Sequence, residues 1–152
     1  MKIFTRSIAV ASLTGALLAS TANAQQRKTA IAVELSGQDS IGQQLAYTVR
    51  EELRRSSAYE VSIPKDAVFS INIVSIDLAL PNEQRGGSAA VAISYTMSNF
   101  IPYKAGDPQT WYPIYLTTEV MAVGRNRVDT QAKSIVATLD QEIEKFRGQA
   151  SR

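Results

Sequence analysis

The sequence predicts an α+β fold in two layers: a mainly antiparallel five-stranded sheet with two helices packed on one face, in the order β-α-β-β-β-β-α. Three observations predict it. Two segments repeat apolar residues at helical spacing, and five others carry the apolar or alternating pattern of strands. The last three strand segments follow one another without a helix between them, so they fold back as an antiparallel meander. Neither helix can bury its apolar stripe alone, and the sheet is the surface available to both.

Residues 25–28 are a polar leader. Residues 29–35 place Ile31, Val33 and Leu35 on one side of a strand, and the Ser-Gly-Gln-Asp run at 36–39 is a turn. Ser40 with Gln43 three residues later matches a capping box for a helix to about Arg55. Its buried stripe is Ile41, Leu45, Val49 and Leu53, with Ala46 beside it, and Glu51 can pair with Arg54 or Arg55. A short strand at 59–63 stops at Pro64. Residues 68–80 are β-branched and apolar on both sides for part of their length, which predicts a central strand partly covered on two faces. After a loop at 81–87, residues 88–100 set Ala89, Val91, Ile93, Tyr95 and Met97 against small and hydroxyl residues. Residues 101–111 read as a long loop, and 113–124 as a strand with Ile114, Leu116, Val120 and Ala122 on one side. The closing helix, capped by Asp129 and ended by Gly148, is expected to bury Ala132, Ile135, Val136, Leu139, Ile143 and Phe146.

Residues 1–24 precede all of this and differ in kind. Lys2 and Arg6 are followed by an apolar run to Leu18, and Ala22-Asn23-Ala24 supplies small residues at both recognition positions of a signal peptidase. The expectation is a cleaved secretory signal ending at Ala24, with residues 25–152 forming a single domain in the periplasm or outside the cell. The apolar run is shorter than the roughly 20 residues a spanning helix needs, and Ser12, Thr14 and Gly15 interrupt it. No Cys stands at the cleavage point to carry a lipid anchor.

Lys2 and Arg6 lie in this segment and all 14 acidic residues lie beyond it, so the rest of the chain is formally neutral. A neutral chain offers no general field for nucleic acid or an anionic membrane. With no Cys and no His, it has no disulfide and lacks the usual zinc, copper and iron–sulfur ligands. No cofactor is expected.

The same composition removes the familiar nucleophile–base pairs. Lys133 and Ser134 are adjacent, but neighbouring helical residues point about 100° apart. Asp77 sits in an apolar strand and is the best acid for hydrolytic work, although a strand-end acid in solvent accounts for it as well. Gly86-Gly87 precedes a strand, whereas a phosphate loop precedes a helix. No catalytic residue is assigned.

Two segments are candidates for binding. Arg125, Asn126 and Arg127 put two guanidinium groups just before a helix start, where an anion is favoured. A solvated strand-to-helix turn accounts for the same residues. Tyr103, Trp111 and Tyr112 bring aromatics to the stretch from Pro102 to Tyr112, either as an interface anchor or as a cover for the open end of the sheet.

The stretch Ile41-Gly42-Gln43-Gln44-Leu45-Ala46-Tyr47 through Arg54-Arg55-Ser56-Ser57, and Tyr112-Pro113-Ile114-Tyr115-Leu116 through Gly124-Arg125-Asn126-Arg127-Val128, resemble a set of short exported proteins of Gram-negative bacteria without an assigned function. The element order also looks like the amino-terminal domain of the TolB-type periplasmic protein. That resemblance implies a protein-binding role by analogy. The expected function is a non-catalytic interaction module of the cell envelope, its partner another envelope protein or a second copy. A binder of a small anion at the arginine turn is the alternative.

Overall fold

The computed structural model describes residues 28–78, 87–101 and 110–150. The expected signal at residues 1–24 and Tyr103 therefore lie outside the described residues. The strands are β1 (Thr29–Ser36), β2 (Tyr59–Val61), β3 (Phe69–Asp77), β4 (Ser88–Ile101) and β5 (Thr110–Gly124). The long helices are α1 (Ser40–Arg55) and α2 (Val128–Ala150). Short 3-10 turns cover Pro64–Asp66 and Arg125–Arg127.

The strands form one sheet in the order β2-β1-β3-β4-β5. The expected meander is there: β3, β4 and β5 pair antiparallel. The sheet is nevertheless mixed, because β1 pairs parallel with both β2 and β3. The parallel half follows from connectivity. α1 returns the chain to the start of the sheet before β2, and residues 62–68 then carry it across β1 to β3.

α1 forms as its stripe predicts, with Ile41, Leu45, Ala46, Val49 and Leu53 at 0–1% exposure. Its cap differs by one residue. Asp39, with extended backbone, accepts a hydrogen bond from the Gly42 amide at 2.7 Å, and Gln43 donates to the Gln38 carbonyl instead of closing a capping box. Asp and Ser cap equally well, so the two adjacent candidates differ only in which one the turn presents. Ser56 ends the helix in extended conformation.

α2 starts one residue before Asp129, which sits in the first turn rather than at the cap, and the helix continues through Gly148. Ala132, Ile135, Leu139 and Ile143 are buried, Val136 is half-buried and Phe146 is exposed. Each helix locks to the sheet through polar contacts. Arg50 of α1 donates to the Val33 carbonyl at 2.6 Å, where β2 has already ended and β1 has an open edge. The Tyr59 hydroxyl of β2 donates to Asp140 of α2, and the Tyr95 hydroxyl of β4 donates to the Ile135 carbonyl at 3.3 Å.

The alternation in β4 is seen as expected: Ala89, Val91, Ile93, Tyr95 and Met97 are 0–4% exposed beneath the helices. β5 departs from expectation twice. It begins at Thr110, so Trp111 and Tyr112 are strand residues opposite Phe100 and Asn99 rather than part of a loop. Pro113 is accommodated because β5 is an edge strand. The second departure is a bulge. Tyr95 pairs with Thr117 but Thr96 with Tyr115, leaving Leu116 as an extra residue. An inserted residue exchanges the two faces of a strand. Ile114 and Leu116 pack against the core, whereas Val120 is 78% exposed and Ala122 is exposed on the other side. Past the bulge, Met121 and Val123 take the inward positions.

Candidate functional site

The helices cover one face of the sheet. β3 shows what this leaves. Ile71 and Ile73 are buried, whereas on the opposite face only Ser70 at the start of the strand is buried and Val74 and Ile76 are 47% and 65% exposed, so the partial cover expected on the second face is confined to that end. A helix is about 10 Å wide and five strands span about 24 Å. Two helices therefore cover one such face, and among the described residues no helix lies over the other, which is bare across β3, β4 and β5.

Register orders the bare face into rows. Val74, Ala92 and Val120 lie side by side, and Ile76, Ala90 and Ala122 form the next row. Exposed Leu78 follows Asp77 at the end of β3. Toward the other end the rows are polar but uncharged: Asn72, Ser94 and Thr118, then Ser70, Thr96 and Tyr115. Thr118 donates to the Ser94 hydroxyl at 3.2 Å, and Asn72 to the Thr96 hydroxyl at 3.4 Å. Across β1 this face closes, since Ala32 and Ser70 are 1% and 7% exposed beside the crossing connection.

From Ser70 to Ala122, no position of β3, β4 or β5 on this face is charged. A solvated face of this size carries roughly four charges. Exposed large hydrophobics gather here too, in Val74, Ile76, Leu78, Val120 and Tyr115. Exposed apolar patches of this kind mark contact sites.

The helical surface is the opposite case. The ion pairs Arg54–Glu51, Arg55–Glu52, Lys145–Glu142 and Arg147–Glu144 all run three residues along a helix. A groove of about 310 Å³ between α1 and α2 is lined by Tyr47, Thr48, Glu51, Glu52, Arg55, Asp129 and Lys133. Its carboxylates are largely engaged by their own helix, as in the 2.7 Å Arg55–Glu52 pair.

Arg125, Asn126 and Arg127 form the 3-10 turn between β5 and α2 and are all exposed. The Arg125 amide donates to the Gly87 carbonyl at 3.2 Å, which ties the turn to the start of β4. Among the described residues neither guanidinium makes an ion pair. The helix start they precede already carries Asp129, whose charge complements the dipole that an anion would use. The structure does not gather the aromatic candidates with the arginines. Trp111 and Tyr112 enter at the far end of β5, whereas the arginines follow its last residue. Asp77 is half-buried opposite Ala89 at the end of β3.

Sequence reasoning misses the bare face. The pattern implies cover for its apolar residues in β3 and puts Val120 and Ala122 on the core side. The available signal is the run of uncharged small and β-branched residues on the outward positions of β4, joined to the same positions of β3.

Two glycines set the closest contact between the layers. Gly37 has φ of 149°, and a Cβ there would lie 2.4 Å from the Ser75 carbonyl oxygen. A Cβ on Gly42 would lie 2.5 Å from the Ser75 Cβ. The first turn of α1 thus rests directly on β3. Asp39 Oδ2 and Ser75 Oγ, both buried, lie 3.0 and 2.6 Å from that same position.

Among the described residues, no group of three or more His, Cys, Asp or Glu is arranged to hold a metal. No described helix is long and apolar enough to cross a membrane.

No protein-family model and no curated protein matches the chain. Among solved structures it is similar to a dodecamer of a PelC point variant from Paraburkholderia phytofirmans, at 14% identity over 72% of this chain and 82% of that one, with a TM-score of 0.38. It is also similar to a minor lipoprotein from Acinetobacter baumannii, at 11% identity over 81% and 93% of the two chains, with a TM-score of 0.24.

Proposed function

We propose that this protein is a non-catalytic interaction module of the cell envelope that docks another polypeptide on the bare face of its sheet. The observation that carries the reading is the uncharged surface of β3, β4 and β5, with Val120 78% and Ile76 65% exposed in adjacent rows. Charged residues are depleted at the centre of protein interfaces, and this face has that character. The envelope setting rests on the export signal at residues 1–24. The non-catalytic reading is supported by the absence of His and Cys from the chain and by helix carboxylates held in local ion pairs.

Docking on the face is favoured over strand addition at the edge. β5 is the long free edge, but it carries Pro113 and the Leu116 bulge. Both features discourage a further strand from pairing.

A photo-crosslinking residue placed at Val120, and separately at Lys133 on the helical surface, tests the reading in cells. Adducts with a defined polypeptide from position 120 and not from 133 are the expected outcome. Equal yields from the two positions, or none from 120, would remove the reading.

A further inference from the structure

We infer that the polypeptide docked on the bare face is a second copy of this chain, bound sheet to sheet about a twofold axis. This inference rests on the docking role proposed above and names its partner.

Three observations lead to a self-pairing. The first is charge. A face without charge meets its own copy without like-charge repulsion, whereas a charged surface placed against itself across a twofold axis sets some like charges together. The second is relief. Ala90, Ala92 and Ala122 sit among Val74, Ile76 and Val120, so Ala92 is flanked by two valines in one row and Ile76 stands beside two alanines in the next. Such a low surface can approach another sheet at the roughly 10 Å separation of stacked sheets, with bulky residues of one copy over the alanines of the other. The polar rows continue this match, because a hydroxyl can donate and accept and so can pair with its own kind.

The third is area. Three strands spaced about 4.8 Å apart, with β3 nine residues long, cover roughly 14 by 30 Å. Both copies together, with side-chain relief, bury on the order of 1,000 Å², which is about where specific interfaces begin. The expected dimer is therefore concentration-dependent. The crossing connection over β1 confines the contact to β3, β4 and β5.

Sedimentation velocity of the exported, host-processed protein over a hundredfold concentration range tests the inference. The expected result is a monomer–dimer equilibrium in which Val120→Lys and Ile76→Lys each weaken association at least tenfold. Both residues are mostly exposed in one copy, so far-ultraviolet circular dichroism should be unchanged. Lys133→Glu on the helical surface should leave the equilibrium as it is. A protein that stays monomeric throughout overturns the inference. So does a dimer indifferent to both lysines but broken by Thr118→Pro, which removes an amide facing the open edge and would place the contact on the β5 edge. If the protein is monomeric yet a probe at position 120 captures a different polypeptide, the self-pairing fails and the docking role stands. Monomer and no capture together remove both.

Discussion

The two faces of the sheet are built from the same strands, one residue apart, and obey different rules. On the helix side, Ile71, Ile73, Ile93 and Tyr95 are buried within 1% and reach across to Leu45, Ile135 and Leu139. On the other side, Val74, Ile76 and Val120 are about half to three-quarters exposed and the neighbouring positions are small or hydroxylated. A face meant only for water would carry Lys and Glu, as the helices do. The difference separates two uses of apolar residues: one face holds the chain together, and the other is free to hold something else.

That contrast can be broken most forcefully at the core. Ile93→Ala removes a fully buried side chain from the middle of β4. It should destabilise the protein by about 3 kcal/mol in urea denaturation, with the cavity adding to the lost burial. Val120→Ser, one strand away, should change the stability of the isolated copy by less than about 0.5 kcal/mol. A comparable cost at both sites would show that the bare face is as structural as the covered one.

Gly42→Ala tests the contact between α1 and β3. The added methyl would meet Ser75 at 2.5 Å. Helix propensity favours alanine by about 1 kcal/mol, but overpacking costs about 1–3 kcal/mol. A net loss of about one or two kcal/mol is expected, and Ser75→Gly in the same chain should recover most of it. Failure of that rescue would mean that the strain is relieved elsewhere.

The tyrosine contacts sharpen the comparison by pH. Burial first, then the hydrogen bond to Asp140 and the charge of that carboxylate, hold the Tyr59 phenol well above its ordinary value. Burial and the nearby Glu119 do the same for Tyr95, against an opposing hydrogen bond with Thr138. A folded-state value raised above the unfolded value of about 10 gives stability that is complete below about pH 10 and lost as the pH rises through the folded value. Denaturation midpoints should therefore begin to fall near about pH 10 and keep falling above it. Tyr59→Phe should cost about 1–2 kcal/mol at neutral pH and flatten part of that fall. An unchanged slope in the variant would assign the alkaline loss to other groups.

The smallest effect belongs to the helix surface. Glu52→Ala removes the carboxylate that Arg55 engages and should cost no more than about 0.5 kcal/mol, less in high salt. A larger loss would give the ion pairs a structural weight that their exposure does not suggest.

The elements with one dominant period are legible in the sequence. β4 and α1 alternate or repeat without interruption, and nearly every inward residue named from the pattern is buried. β5 is legible only in part. Its two halves each keep period two, but the extra residue at Leu116 has no side-chain signature, so the pattern carries Val120 to the side of Ile114. The cap of α1 falls one residue earlier than the pattern puts it, because Asp39 and Ser40 present similar oxygens to the same amides. Parallel pairing of β1 is not legible either, since it depends on where the 62–68 connection crosses and not on any residue in the strand. The bare face is hidden by a rule that usually works: apolar residues on both sides of β3 imply cover on both sides, unless the second cover is another molecule.

The Leu116 bulge has a consequence for how this chain can vary. β5 in effect has two reading frames, one for each half. Loss of Leu116 would merge them and leave both faces as they are, because Thr117 would then follow Tyr115 as its partner Tyr95 adjoins Thr96. Gain of one residue there is different. If one residue still bulged and Trp111–Tyr115 kept its place, Val120 and Ala122 would swing under the helices and Met121 would turn outward. Substitutions can retune the bare face one side chain at a time, but a one-residue insertion here would rewrite half a strand at once. The strand can therefore shorten at this point more safely than it can lengthen.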